Sequence, residues 1–253
     1  MTDSRPARVW GLVAGQAARR GGRVTAGDAC AAAVAAVEVS GAWLIAVHDT
    51  GAGHLMRATD EVSELLAEHE LILGEGPGRD AAAASGPVLA SDLGDERAAR
   101  RWPVFAAAAC AAGAAAVFAF PLQVGAIRAG VMGLYRQRPG PLSAFQLGDA
   151  LLLADTATLL LLESGPWTAD GSEGTEGSGS GLEAQPPDLA GYRAEIDQAT
   201  GMLTEQLGVG IAEAFIRLRA YAYVNDLRLT AVARDIVGRR LRLQPDLDPL
   251  SGG

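Results

Sequence analysis

The chain contains no lysine: all 21 basic residues are arginine. Every fixed cation is therefore a guanidinium, a group that pairs bidentately with phosphates and stacks on splayed bases. Aromatics make up only 5% of the residues, so any core must be built mainly from Ala, Val and Leu. Cysteine is scarce, with Cys30 and Cys110 alone, each in an alanine-rich stretch. Two such residues exclude a disulfide framework, and packing as small hydrophobes is the expectation for both. Positive charge is also in deficit. A formal net charge of -9 excludes a chain that coats nucleic acid or a membrane along its whole length. The longest apolar run, Phe105 to Leu122, is interrupted by Gly113 and Pro121 and reads as a buried helix followed by a buried strand. Met1 to Val9 carries charges but no apolar core, so no signal peptide is expected.

Catalytic signatures are missing as well. His48, His54 and His69 have neither metal-ligand spacing nor a cysteine pair nearby. GEGPG (Gly74 to Gly78) has neither the spacing nor the lysine of a phosphate loop. No catalytic residue, metal or cofactor is expected, and an enzyme is the least supported class.

What is present divides the chain. Thr168 to Asp188 is rich in Gly, Ser and Glu and ends in Pro186–Pro187; it cannot bury enough apolar surface to order itself and reads as a tether. Residues 1–188 carry 13 Arg against 22 Asp and Glu, whereas residues 189–243 carry 8 Arg against 6 acids. Of these two parts only the C-terminal one is basic. The expected limits are an N-terminal segment 1–23, a domain 24–163, a linker 164–188, a module 189–243 and a tail 244–253.

The first domain mixes periodicities. Helices are expected over Ala26–Val39, Asp60–Glu70, Gly74–Ala84, Pro103–Ala112 and Leu142–Leu162. Strands are expected over Ala42–Val47 and Leu55–Ala58 around a Gly51–Gly53 turn, and over Pro87–Ala90. Val117–Gln123 and Ile127–Tyr135 read as a hairpin. The pattern predicts an α/β domain with a mainly antiparallel sheet and flanking helices. The runs LGEGPGRDA (Leu73 to Ala81), GPVLASDL (Gly86 to Leu93), RWPVFAAAA (Arg101 to Ala109) and AVFAFPLQVGAIRAGVMGLYRQRPGPL (Ala116 to Leu142) resemble a bacterial GAF domain. The resemblance implies a six-stranded sheet with helices on one face and a concave pocket on the other. It further implies a small-molecule ligand or a dimerising role, with Trp43, Glu75, Arg101 and Phe118 as pocket residues. Related domains often carry Cys after the GEGP run; Gly78 stands there, which excludes a thiol-based sensor or a covalent chromophore at that position.

The C-terminal module reads as an all-α unit of three helices, each with one apolar stripe. The stripes are Leu189, Tyr192, Ile196, Ala199, Leu203 and Leu207; then Ala214, Phe215, Leu218, Tyr221 and Ala222; then Val232, Ala233, Ile236 and Val237. Gly208 ends the first helix, Thr230 is a candidate N-cap of the third, and the mid-helix Gly201 marks either close helix packing or a ligand. ATGML (Ala199 to Leu203), EAF (Glu213 to Phe215) and LRAYA (Leu218 to Ala222), followed by Asn225, Leu229, Val232 and Ala233, resemble an ANTAR domain. That family implies RNA binding, typically to paired hairpins near terminators, and transcription antitermination. Arg193, Thr200, Arg217, Arg219, Arg234 and Arg239 are the expected RNA-facing residues; Thr200 occupies a position where family members often carry Lys. The sequence thus points to a cytoplasmic, homodimeric regulator with RNA as partner and no membrane association. The alternatives are a non-catalytic dimeric adaptor and a DNA-binding regulator using the third helix.

Overall fold

The computed structural model describes residues 4–47, 53–163, 187–225 and 227–243. His48, most of the Gly51–Gly53 turn, tether residues 164–186 and the tail 244–253 lie outside them.

Five strands, β1 (Gly41–Val47), β2 (Gly53–Ala58), β3 (Val88–Ala90), β4 (Ala116–Val124) and β5 (Ile127–Arg136), form one sheet in the order β2-β1-β5-β4-β3. Every pairing is antiparallel. The GAF resemblance implied six strands; five occur among the described residues. The β4–β5 hairpin turns through Gly125, whose φ of 59 is the left-handed geometry that tight hairpins require.

Side chains alternate along a strand. Leu44, Phe118, Phe120, Leu122, Met132 and Leu134 therefore enter one core, and Trp43, Ile45, Leu55, Val117, Val131 and Tyr135 enter the other. Helices cover both faces, where the resemblance placed them on one. The first face packs on α2 (Ala26–Val37) and α7 (Ala144–Glu163), with α1 (Arg5–Arg20) against both helices. The second carries α3 (Glu61–Leu73), α4 (Pro77–Ala84) and α6 (Pro103–Ala111), with the short α5 (Glu96–Arg101) beside α6. Burial from both sides explains the unbroken apolar runs of β1 and β4.

Local chemistry sets the helix ends. Asp60 caps α3 by accepting the Ser63 N–H at 2.8 Å. Pro77 opens α4, where its missing N–H costs nothing. α1 formed within what the sequence left as an N-terminal segment. Its stripe of Val9, Val13 and Ala17 is buried, and Arg8 and Arg5 reach the buried Asp149 of α7 at 2.5 and 3.6 Å. α7 is long and apolar enough to cross a membrane; here it lies against α2 and β4, with Asp149, Leu153 and Ala157 inward. Cys30 is buried in α2 as expected, but Cys110 is exposed on α6 because its face of that short helix points away from the sheet.

The module consists of α8 (Pro187–Leu207), α9 (Ile211–Val224) and α10 (Leu229–Val237). Of the described stripe residues, Ile196, Ala199, Leu203, Ala214, Phe215, Leu218, Ala222, Val232, Ala233 and Ile236 are buried, and Leu207, Tyr221 and Val237 are partly buried. Gly208 ends α8 with φ 66, as expected. Two details differ from expectation. The N-cap of α10 is Arg228, so Thr230 lies within the first turn. At Gly201 an added Cβ would meet nothing within 4 Å, so close helix packing does not explain that glycine. The module does not stand apart: α8 lies against β2 and α9 against α3, and its core is continuous with the second face of the sheet.

Candidate functional site

Two sites lie on the second face of the sheet. The first is a cavity of about 250 Å³ between α3, α4 and strands β1, β4 and β5. Ile45, Leu71, Ala82, Pro121 and Val131 make it apolar, and Glu70, Arg79, Gln123 and Arg128 add polar groups. Glu70 is the unusual member. It is 2% exposed, its Oε1 accepts the Gly78 N–H at 2.5 Å, and its Oε2 has no hydrogen-bond partner. Burial pushes its carboxyl up to about 7, against the opposing pull of the Gly78 N–H. A Cβ at position 78 would sit 2.3 Å from Glu70 Oε2, so any side chain there would have to displace the Glu70 carboxylate.

The four expected pocket residues do not converge on this cavity. Trp43 is fully buried beside it, with its indole N–H unpartnered; its ring lies over Gly133 of β5, where a Cβ would stand 2.1 Å from the ring. Phe118 belongs to the opposite face because strand parity sends it toward α2 and α7. Glu75 caps α6, accepting the Val104 and Phe105 N–H groups at 2.8 and 2.7 Å. Arg101 pairs with Asp80 at 2.6 Å, lies over the Trp102 ring and lines a separate depression. Sequence reasoning missed Glu70, which sits in the charged run AEHE and looks there like part of a solvated helix face.

The second site is the arginine-bearing surface of the module. Arg217 pairs with Glu213 at 2.8 Å along α9. Arg234 bridges α10 to Glu195 of α8 at 3.2 Å. Arg239 lies just past α10 with φ 57 and is exposed; among the described residues neither it nor Arg242 forms an ion pair. The Arg193 side chain lies outside the described set. Thr200 is withdrawn from the surface: it is 5% exposed and donates its hydroxyl to the Ile196 carbonyl at 2.7 Å, so it offers no donor to RNA. Arg219 points the other way from Arg217, onto the N-terminal domain, and donates twice to the Ile72 carbonyl at 3.1 and 2.8 Å. No side-chain pattern signals that contact, nor that of Arg228 with Glu64 at 3.8 Å.

This helical module is the part of the chain that a family comparison recognises. Residues 191–237 match the ANTAR domain family. The match spans most of α8, all of α9 and all of α10. The fold is therefore an α/β domain with an antiparallel sheet followed by an all-α ANTAR module. Solved structures similar to this chain include the GAF domain of a phosphoenolpyruvate-protein phosphotransferase from Coxiella burnetii. That one is 11% identical, with a TM-score of 0.46, covering 64% of this chain and 96% of its own. The corresponding domain from Acinetobacter is 10% identical, with a TM-score of 0.44, covering 62% and 94%. A GAF domain/HD domain protein from Geobacter sulfurreducens is 15% identical, with a TM-score of 0.42, covering 62% and 97%. No curated protein matches the chain.

Proposed function

We propose that the protein is a non-catalytic, cytoplasmic transcription antiterminator. Its ANTAR module binds structured RNA, with paired hairpins near terminators as the expected target, under the control of a GAF-type sensor domain. The observation that carries this reading is the ANTAR match, which falls on a three-helix unit with a complete core and arginines at its edges. Arg217, Arg234, Arg239 and Arg242 are the cations this surface offers to phosphates. The sensor reading rests on the cavity and its buried Glu70. A signal there has a short route outward: Glu70 and Leu71 line the cavity, and Ile72, in the same turn of α3, holds Arg219. Homodimer formation would use the outer face of α7 and α1, where Leu151, Leu159 and Trp10 are 40%, 56% and 50% exposed.

Gel shifts with a two-hairpin RNA test the reading. Arg217→Ala removes a half-buried guanidinium that pairs with Glu213 along the helix surface, where such pairs add little stability, so the module should stay folded. RNA affinity should fall roughly tenfold, and the salt dependence should weaken by about one phosphate contact. Wild-type affinity with an unchanged salt slope would remove Arg217 from the interface.

A further inference from the structure

Arg219 is placed unlike a residue with only a surface role. Its guanidinium lies in the groove between α9 and the ends of α3 and α6, a space of about 420 Å³ lined by Ile72, Leu73, Glu75, Val104, Ile216 and Tyr223. Its acceptor, the Ile72 carbonyl, belongs to the last turn of α3. Carbonyls there lack intrahelical partners and carry the negative end of the helix dipole. Glu75 lines the same groove, but its Oε1 is committed to the first turn of α6. Among the described residues, Arg219 therefore has no carboxylate partner. Gly74 makes the approach possible: a Cβ there would lie 2.8 Å from the guanidinium. The Arg228–Glu64 pair and the packing of α8 on β2 hold the module in the same orientation.

We propose that this contact is an intramolecular latch: α3 and α6 of the N-terminal domain cover one face of α9 and hold Arg219, withholding that face from RNA until the module undocks. The inference rests on the RNA-binding reading and adds its regulation. The latch is built to yield. A half-buried guanidinium held by one carbonyl and the Phe215 ring is incompletely compensated, and burial together with the nearby Arg79 charge lowers the Arg219 pKa to about 10. A phosphate offers Arg219 the counter-charge that α3 does not. An RNA-competent state that is only fractionally populated weakens apparent affinity by that fraction.

The test locks the groove. Val104→Cys and Tyr223→Cys are introduced in the full chain together with Cys110→Ser, leaving only the buried Cys30, and the pair is joined with a short bismaleimide. The free protein should cross-link readily. The cross-linked form should bind a two-hairpin RNA about tenfold or more weakly than the same variant before cross-linking, and prior RNA binding should slow the cross-link. Failure to cross-link in the free protein, or equal RNA affinity in the locked and open forms, would overturn the latch while leaving RNA binding intact. RNA binding absent from both the wild type and the open variant would instead overturn the RNA reading, and the latch with it.

Discussion

The two faces of one sheet have been put to different uses. The face under α2 and α7, with α1 packed outside them, is closed and aliphatic-aromatic; its buried carboxylates are Asp28, met by Arg20, and Asp149, met by Arg5 and Arg8 but with Oδ2 lacking a hydrogen-bond partner. The face under α3, α4 and α6 buries a carboxyl with an orphan oxygen and an unpartnered indole N–H. It also leaves a cavity and receives the C-terminal module. Buried polar groups without partners cost stability, so a fold tolerates them where they serve something other than stability. The cavity and the docked module, on which the proposed sensing and regulation rest, both lie on the second face.

The contrast can be attacked most forcefully at Phe120, fully buried on the closed face. Phe120→Ala should cost about 3–5 kcal/mol in denaturant unfolding. A loss below about 1 kcal/mol would mean that this face is not a closed core. On the other face, Glu70→Gln should stabilise the protein, and in a pH-dependent way. The folded carboxyl titrates near 7, above its ordinary 4.5, so the stability it confers is whole below 4.5 and is lost as pH rises through 7. The variant should therefore match the wild type near pH 4 and exceed it by up to about 3 kcal/mol at pH 8, read as a shift in Tm. An identical pH dependence in both proteins would show that Glu70 is not buried in its neutral form. Asp149→Asn should have the smallest effect, a loss of about 1–2 kcal/mol, because Arg5 and Arg8 keep much of their hydration. Protease sensitivity of α1 would report the loosened helix, and an unchanged cleavage rate would argue that the pair does not hold it.

Much of this arrangement was readable in the sequence, for physical reasons. Long periodic stretches announced α3, α7 and the module's three helices, and the apolar runs around Gly125 announced the β4–β5 hairpin. α1 escaped because its stripe is only Val9, Val13 and Ala17 among arginines and glycines. α5 is six residues of ERAARR with almost nothing to bury. Which face Phe118 served was not decidable, since AVFAF is apolar at every position and both sides of the strand are covered. The candidate site was less readable than the fold. Glu70 looked solvated because a helical pattern does not show what another helix will place over it. Arg219 looked free because its acceptor is a backbone carbonyl 147 residues away in sequence, which no side-chain pattern can display.

The central claim is that the module on the second face is a reader of structured RNA. A competition binding measurement tests it most directly: labelled two-hairpin RNA on the full-length protein, challenged with unlabelled RNA or duplex DNA across a salt series. The account predicts that the RNA competes effectively and the duplex poorly at every salt concentration. Equal, salt-labile competition by both would contradict it and leave only a weakly basic surface that binds phosphates without regard to shape.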